Sequence, residues 1–440
     1  MHQYVDRLVN LLDPAANVFF DCTQEEAERR VGSGDLDAIR GIGGQWAVLH
    51  KDGQVVRMAR SIGRPMRYFL AKRAEGPCLI VAERMDEIRD QLAKEGLEDQ
   101  FRPSYTRMVP AHWLTELRLI GCPDPNPKTT RFFDPPRGDG PSDIAEIGRR
   151  YVEAVAGQID RWLDTLPADA PIGVLFSGGV DSGAVLLLAD QLIRKRGQSP
   201  ARLKAFTMTV DGTSPDADQA FAFLDAVDRT MLLETIDVPS SALDVRETIA
   251  AVEDYKPLDI EAATMGLALC HAIRERYPDW TYLLDGDGGD ENLKDYPIEA
   301  NPELTIRSVL SNSMLYQEGW GVEAVKHSLT YSGGQSRGHV RTYAPARRLG
   351  FSGFSPYATP AVIEVAEAIP FIELTDWDHG RLYALKGQVV RAGVEAVTGV
   401  TMPVYEKRRF QHGAAAEPVV GRTFAGTESE YRRMLTEVLG

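Results

Sequence analysis

The sequence predicts an α/β protein in which a strand-rich N-terminal part precedes a doubly wound parallel sheet. Two observations carry this fold class. From about residue 143 onward, amphipathic helices alternate with short apolar strands, which is typical of a parallel sheet with helices on its faces. Within that region an apolar run at residues 172–176 leads through a glycine turn directly into an apolar helix, which is the arrangement of a strand, a tight turn and a crossover helix.

The N-terminal part, residues 1–122, contains closely spaced strands. Residues 45–49 and 55–59 are apolar runs on either side of Asp52 and Gly53, a pair that is typical of a hairpin turn. We expect further strands in the same region at residues 66–70 and 78–82.

A segment rich in proline and glycine, residues 123–142, predicts a linker between two domains. The second domain is then residues 143–440, and its far part, beyond residue 300, reads as mostly helical. The predicted elements of this domain are a helix at 144–163, a strand at 172–176, a helix at 184–192, a strand at 204–210, a helix at 217–227, a strand at 231–236, a helix at 261–276 and a strand at 281–284.

Composition and charge narrow the functional classes. The 440 residues allow two or three domains, and a net charge of −15 argues against a nucleic-acid-binding protein, which needs a basic surface. Four scattered cysteines show no metal-binding spacing and fit reduced thiols. The chain shows neither a signal-peptide pattern nor an apolar run long enough for a membrane span, so we expect a cytoplasmic protein without a membrane partner. The oligomeric state stays open, with a homodimer as one alternative.

The stretch Ser-Gly-Gly-Val-Asp-Ser at residues 177–182 follows the 172–176 strand and opens a helix. Glycines let the backbone approach a phosphate, and the unpaired N–H groups of a helix N-terminus favour negative charge. The residues that we expect to bind phosphate are Ser177, Gly178, Gly179, Asp181 and Ser182. Taken alone, the same stretch also fits a capped strand-to-helix turn with no ligand.

A second stretch, residues 285–291, places four carboxylates and three glycines directly after the strand at 281–284. Like charges this close repel each other unless a cation or a hydrogen-bond donor lies among them. In a parallel sheet both loops emerge at the same edge, so Asp181 and Asp290 could meet over Mg²⁺, which takes one or two carboxylates together with phosphate oxygens. A solvated acidic turn is the alternative.

Three further motifs accompany these loops. They are Ser214-Pro215-Asp216 with Ala220, the segment 383–391 with Lys386, and the segment 405–413 with Lys407. Together the motifs occur in the order and approximate spacing of the asparagine synthetase superfamily, which includes asparagine synthetase B and the β-lactam and carbapenam synthetases. The chain resembles that superfamily over roughly residues 145–415.

The resemblance implies an ATP pyrophosphatase-type synthetase domain that uses ATP and Mg²⁺. The backbone of residues 177–182 and Gly286 would hold the phosphates, and Leu175 and Met208 would flank the adenine. Asp181 and Asp290 would coordinate Mg²⁺.

The reaction that the resemblance implies joins a small carboxylate to an amine. The carboxylate attacks the α-phosphorus of ATP to give an acyl-adenylate and pyrophosphate, and the amine then displaces AMP. Lys386 and Lys407 would stabilise charge on the phosphates and on the tetrahedral intermediate. Asp287 stands where asparagine synthetases carry a Glu, and it would be the general base for the amine.

The sequence leaves several alternatives for the substrates and for the overall reaction. The β-lactam-forming relatives carry a Tyr at the position of Asp287 together with a distant Glu, and residues 340–348 contain no acid, so intramolecular cyclisation is the less favoured reading. Arg341, Arg347 and Arg348 are candidates for binding a second carboxylate or are structural. A tRNA-modifying ATP pyrophosphatase and a non-catalytic homologue are the remaining alternatives.

The N-terminal part resembles the class II glutaminase domain of asparagine synthetases, which implies an Ntn-type αββα sandwich. The segments that carry the likeness are 44–48, 60–68, 81–83 and 109–112. The nucleophile of that domain is a cysteine that follows the initiator Met, and here that residue is His2. Cys22 lies nearby without the α-amino group that would activate it. We therefore expect a degenerate domain without glutaminase activity, and an amine that comes from solution or from the substrate.

Overall fold

The computed structural model describes residues 7–119, 127–295, 298, 305–311, 334–405 and 413–440. The elements of its N-terminal part are β1 (Arg7–Asn10), β2 (Val18–Phe19), α1 (Gln24–Ser33), α2 (Leu36–Arg40), β3 (Gly44–Gln45), β4 (Ala47–Asp52), β5 (Val55–Arg60), β6 (Arg67–Ala71), β7 (Cys78–Ala82), α3 (Met85–Lys94), β8 (Arg107–Met108), β9 (Trp113–Arg118) and β10 (Lys128–Arg131).

These strands form two four-stranded sheets, with the orders β1-β7-β6-β8 and β10-β9-β5-β4. The hairpin predicted at Gly53 is confirmed, because β4 and β5 pair in antiparallel fashion and Gly53 has a φ of +56°. Side chains alternate along β7: Leu79 and Val81 pack between the two sheets, whereas Ile80 packs against α3. The layers are therefore helix, sheet, sheet and helix.

The second part of the chain contains the elements α4 (Ile144–Asp164), β11 (Ile172–Leu175), α5 (Val180–Lys195), β12 (Leu203–Val210), α6 (Pro215–Ala226), β13 (Leu233–Val238), α7 (Val245–Val252), α8 (Pro257–Arg276), β14 (Tyr282–Leu284), α9 (Gly289–Asn292), α10 (Ile306–Ser311), α11 (Gly334–Arg348), β15 (Ser352–Phe354), α12 (Pro360–Glu367), α13 (Phe371–Thr375), α14 (His379–Thr398), α15 (Glu417–Thr423) and α16 (Glu428–Leu439).

Five of these strands form one sheet in the order β13-β12-β11-β14-β15, and every neighbouring pair is parallel. The doubly wound parallel sheet predicted from the sequence is confirmed. The chain winds outward in one direction from β11 to β13 and then in the other direction from β14 to β15, so the switch point lies between β11 and β14. Ligands of such sheets bind in the crevice outside the carboxyl ends of the strands at this point.

Helices cover both faces of the parallel sheet. Along β12, Ala205 packs on the face that α4, α5 and α14 cover, and Met208 packs on the face that α8 covers. Helix α14 packs against both α4 and α5. This packing carries the predicted Lys386 helix across the switch point.

Several elements differ from the prediction, and one of them, β10, lies within the predicted linker at residues 123–142. The helix predicted to begin at residue 184 begins at Val180, so Asp181 and Ser182 lie in its first turn. The strand predicted at 231–236 lies at Leu233–Val238, because residues 230–232 form a 3₁₀ turn. Strand β15 was not predicted, since three residues centred on Gly353 give no periodic signal.

Charged side chains at the contact between the two parts of the chain form hydrogen bonds across it. The carboxylate of Glu253, at the end of α7, accepts hydrogen bonds from the backbone N–H of Met85 at 2.7 and 2.9 Å and so caps α3. Arg84 donates to the carbonyl of Ala251 at 2.7 Å. Within the part of the chain that the structure describes, no helix is both long enough and apolar enough to cross a bilayer.

Candidate active site

The predicted phosphate loop lies at the switch point, at the carboxyl end of β11. Gly178 has a φ of +72°, and a Cβ atom there would lie 2.7 Å from the backbone N of Ala220 in α6, so only glycine fits. Gly179 is the N-cap of the 16-residue helix α5 and offers no side-chain cap to its N–H groups. The loop therefore directs a helix N-terminus and its positive dipole end toward the crevice.

Two serine hydroxyls hold the loop together from inside. The Oγ atoms of Ser177 and Ser182 lie 3.3 Å apart, and the N–H of Gly179 donates to Ser177 Oγ at 3.3 Å. Both serines are predicted to bind phosphate, and the structure brings their hydroxyls together at the helix N-terminus.

The acidic loop 285–291 packs directly onto the phosphate loop. A Cβ atom on Gly286 would lie 2.9 Å from the backbone N of Ser182 and 3.1 Å from Asp181 Cβ. Gly288 has a φ of +98°, which lets the chain turn into the short helix α9. The two loops therefore meet at one edge of the sheet, as the sequence predicts.

Lys386 of α14 lies between the two predicted metal-binding carboxylates. Its Nζ donates to Asp181 Oδ2 at 2.5 Å and to Asp290 Oδ1, and it lies 3.3 Å from Asp295 Oδ2. The side chain is buried, and these carboxylates hold the pKa of the ammonium well above its ordinary value although burial alone would lower it.

The geometry around Lys386 shows that Asp181 and Asp290 can share one cation. Among the described residues, no three acidic, imidazole or thiol side chains come together as a metal site. Mg²⁺ takes one or two protein carboxylates plus phosphate oxygens, so a pair suffices once a nucleotide supplies the remaining ligands. The two carboxylates therefore fit the Mg²⁺ that the sequence predicts, with Lys386 as their neighbour.

A buried aromatic pair supports the phosphate loop, and the sequence did not reveal it. The rings of Tyr151 and Tyr357 are stacked with their centroids 6.0 Å apart. Tyr357 donates its hydroxyl proton to the carbonyl of Asp181 at 3.2 Å, and Asn292 donates to the hydroxyl of Tyr151 at 3.3 Å and to the carbonyl of Tyr357 at 3.0 Å. Tyr151 lies on the apolar face of α4, where a sequence pattern cannot distinguish it from an ordinary core residue.

Asp285 and Asp287 form a second pair of acids next to the shared cation site. The backbone N–H of Asp287 donates to Asp285 Oδ1 at 3.0 Å. Burial raises the pKa of Asp285 to about 7, and burial together with the negative charge of Asp285 raises the pKa of Asp287 well above its usual range. Two adjacent buried carboxyls cannot both ionise cheaply, so the pair holds a proton near neutral pH.

Asp287 has the surroundings of a proton acceptor. Its side chain forms a hydrogen bond with Thr342 and faces the guanidinium of Arg341, both on α11. Its Oδ2 atom is buried and has no hydrogen-bond partner among the described residues. A carboxylate with a raised pKa and an oxygen left for a ligand suits general base catalysis.

The three arginines considered for a second substrate carboxylate have separate positions. Arg341 donates to Asp259 Oδ1 at 2.6 Å, and Arg347 donates to Asp13 Oδ2 at 2.5 Å. Arg347 therefore joins α11 to the N-terminal part, and Arg348 is exposed at the end of the same helix. The structure does not bring the three side chains together.

A crevice lies beside α6, near the carboxyl end of β12. A cavity of about 650 Å³ is bordered there by Thr209, Gln219 and Tyr405, among others. Leu175 is half-buried at the end of β11, whereas the side chain of Met208 lies in the core with 2% exposure. Of the two residues predicted to flank adenine, only Leu175 presents side-chain surface.

Lys407, together with Arg408 and Arg409, lies outside the described residues. The described residues on either side of this segment border the same crevice. Tyr405 lines the cavity, and the carbonyl of Gly413 accepts a hydrogen bond from Ser214 Oγ at 2.9 Å, next to the first turn of α6.

Comparison with known proteins shows which family this part of the chain is similar to. Residues 161–349, from the end of α4 through α11, match the family model for asparagine synthase. This match, together with weaker similarity to asparagine synthetases, supports membership of the chain in the asparagine synthetase superfamily. The matched segment contains both loops of the switch point with Asp181, Asp287 and Asp290, whereas Lys386 lies beyond its end.

Three curated relatives are similar to parts of this chain. A probable glutamine-hydrolysing asparagine synthetase of Acanthamoeba polyphaga mimivirus is 30% identical over 129 residues, or 29% of this chain and 22% of that protein. The amidase chyE of Penicillium rubens is 26% identical over 201 residues, or 43% and 28%. A glutamine-hydrolysing asparagine synthetase of Lotus japonicus is 28% identical over 134 residues, or 30% and 22%. The chain thus spans about a quarter of the length of these relatives.

Proposed function

We propose that the protein is an ATP-dependent ligase that adenylates a small carboxylate, releases pyrophosphate and transfers the acyl group to an amine with release of AMP. The observation that carries this proposal is the meeting of a helix N-terminus, two carboxylates and Lys386 at the switch point of the parallel sheet. Such a site can hold a chain of phosphates and its counter-cation at once.

The first step uses the phosphate loop and the shared cation site. The N–H groups at residues 177–182 would hold the pyrophosphate part of ATP, with Gly286 beside them and the adenine in the crevice near Leu175. Asp181 and Asp290 would hold Mg²⁺, which neutralises phosphate charge when it is bound. Lys386 orients the two carboxylates and adds its own positive charge next to the leaving pyrophosphate.

The second step uses Asp287. An amine must lose a proton before or while it attacks the acyl-adenylate, and a buried carboxylate with a raised pKa can take that proton at neutral pH. The positive charge of Arg341 favours the ionised form of Asp287. Lys407 is the proposed source of a further positive charge for the tetrahedral intermediate.

We propose that glutamine is not the nitrogen donor of this chain. Cys22 is half-buried, and burial raises the pKa of its thiol and of the thiols of Cys78 and Cys270. A nucleophilic cysteine needs the opposite shift. In this proposal residues 1–122 belong to a degenerate glutaminase-like domain whose sheet also includes β10, the rest of residues 123–142 form a linker, and residues 143–440 are the synthetase domain.

The experiment that tests this function is a pyrophosphate-release assay with ATP and Mg²⁺ over a panel of carboxylic acids and amines. We expect pyrophosphate and AMP with at least one pair, strong loss in Lys386→Met, and full activity in Lys195→Met, which changes an exposed lysine on α5. Product mass distinguishes ligation of two molecules from cyclisation of one. Release of ADP, or no release with any acid, would contradict the proposal.

A further inference from the structure

Three carboxylates surround the ammonium of Lys386, although the proposed cation site uses only two of them. Asp181 and Asp290 accept its hydrogen bonds, and Asp295 Oδ2 lies 3.3 Å from Nζ. Within the described part of the chain, no three acidic side chains form a set that could hold a metal ion. Asp295 therefore belongs to the surroundings of the ammonium rather than to those of the metal.

The position of Asp295 is fixed by the turn that follows the acidic loop. Its backbone N–H donates to the carbonyl of Asp290 at 2.9 Å. The preceding residue, Lys294, has a φ of +57°, a left-handed conformation that non-glycine residues rarely adopt. This turn holds two neighbouring side chains against different helices. Lys294 Nζ lies 4.6 Å from the ring centroid of Phe371 on α13, whereas Asp295 lies beside Lys386 on α14.

The backbone of Lys386 is held firmly as well. A Cβ atom on Gly393 would lie 2.1 Å from the carbonyl oxygen of Gly148, so α14 and α4 are in direct backbone contact. One turn before Lys386, the hydroxyl of Tyr383 accepts a hydrogen bond from the N–H of Ile298 at 2.9 Å. We therefore expect any movement of the ammonium to come from the flexible side chain of Lys386 and not from its helix.

Mg²⁺ and the ammonium cannot share the same carboxylate oxygens. Nζ of Lys386 lies 2.5 Å from Asp181 Oδ2. Mg²⁺ binds oxygen at about 2.0–2.1 Å, so two cations on that oxygen would be less than about 5 Å apart and would repel each other. The side chain of Asp290 is 40% exposed and that of Asp295 is 11% exposed. A metal ion from solution therefore meets Asp290 first and displaces the ammonium toward Asp295.

We propose that Asp295 is a positioning residue that keeps the ammonium of Lys386 in the site when Mg²⁺ takes Asp181 and Asp290. In the metal-free protein Lys386 occupies the place of the cation. When the metal binds, its side chain turns onto Asp295, and its charge stays at the switch point. The assignment of the two carboxylates to Mg²⁺ rests on the proposed function, whereas the exchange of the ammonium for a divalent cation needs neither nucleotide nor substrate.

The exchange can be tested with Mn²⁺ alone, which prefers oxygen ligands as Mg²⁺ does. Electron paramagnetic resonance measures its binding as the loss of the signal of the free ion. We expect Lys386→Met to bind Mn²⁺ more tightly than the wild type, because the competing ammonium is gone. Asp295→Asn should bind it about tenfold more weakly, because the displaced ammonium loses its charged partner. Asp295→Glu keeps the carboxylate and should recover part of the affinity.

A double variant separates the positioning role from the plain loss of a charge. Lys386→Met leaves no ammonium to position, so in that background Asp295→Asn should change the Mn²⁺ affinity by less than about twofold. Equal weakening in both backgrounds would overturn the proposal, because Asp295 would then act on the metal directly. Asp190→Asn removes a buried, ion-paired acid elsewhere on α5 and is the matched control, with wild-type affinity expected.

Different results contradict the role of Asp295 and the proposed function. Wild-type Mn²⁺ affinity in Asp295→Asn, or binding by Lys386→Met that is no tighter than that of the wild type, contradicts the exchange. The expected Mn²⁺ affinities without pyrophosphate release for any acid contradict the proposed function alone. Asp295→Ser, with a smaller neutral side chain, gives the same comparison if Asp295→Asn does not fold.

Discussion

Replacement of Lys386 by Met removes the ammonium that three carboxylates share and keeps a side chain of similar length. Its partners Asp181, Asp290 and Asp295 have side chains that are 17, 40 and 11% exposed. Removal of one partner of a buried ion pair costs about 3–5 kcal/mol. Because Asp290 is partly hydrated, its share is screened, and we expect the lower end, about 3 kcal/mol. That corresponds to about 10²-fold in the unfolding equilibrium constant.

The assay is denaturant-induced unfolding of Lys386→Met at pH 7, with and without Mg²⁺, against wild type and Lys195→Met. We expect Mg²⁺ to restore part of the lost stability in Lys386→Met, since a bound cation replaces the missing charge between Asp181 and Asp290. Wild type and Lys195→Met should respond less. The pKa of Lys386 is raised, so its contribution is complete below about pH 10 and falls only as the pH rises above that value.

Unfolding of Lys386→Met at the wild-type denaturant concentration would contradict this expectation. A larger stabilisation by Mg²⁺ of the wild type than of the variant would contradict it as well. Either result would mean that Asp181 and Asp290 do not depend on a common cation.

Three further predictions concern other parts of the chain. Asp287→Asn should slow acyl transfer to hydroxylamine, measured as hydroxamate, by about 10²–10⁴-fold. It should spare the acid-dependent exchange of pyrophosphate into ATP, and equal loss of both activities would contradict its role as base. Glu253→Gln should destabilise the protein by about 3 kcal/mol in denaturant unfolding, because it removes the buried carboxylate that pairs with Arg67 and caps α3, and wild-type stability would refute this. The lowered pKa of His339 makes the wild type lose up to about 3 kcal/mol as the pH falls from 6.5 to about 4, whereas His339→Gln should lose that much less.

The sequence predicted the parts of the fold that depend on short-range patterns. The hairpin at Gly53 and the parallel sheet follow from turn residues and from the alternation of helices and strands, and both are confirmed. The contact between the loops at Asp181 and Asp290 followed from one further step, namely that parallel strands end at the same edge. Strand β15 and the exact start of α5 were missed because three-residue strands and glycine caps leave no periodic signal.

The contacts among the site residues could not be predicted from the sequence, for a different reason. The residues that support Asp181 are at least 30 positions away from it in the chain, namely Tyr151, Asn292 and Asp295, and their sequence surroundings look like ordinary core. Only the packing of α4 and α9 brings them together. The same holds for His339 and Gly63, which are 276 residues apart. Sequence patterns show which residues could carry chemistry, whereas hydrogen-bond geometry shows which of them act on each other.

The central claim is that the carboxylate of the substrate attacks the α-phosphorus of ATP. The most direct test uses an acid that supports pyrophosphate release, labelled with ¹⁸O in its carboxylate. We expect one labelled oxygen to appear in AMP, since the attacking oxygen stays with the phosphorus when the amine displaces it. Label in inorganic phosphate together with ADP, or unlabelled AMP, would contradict the adenylate and with it the assigned roles of Asp181, Asp290 and Lys386.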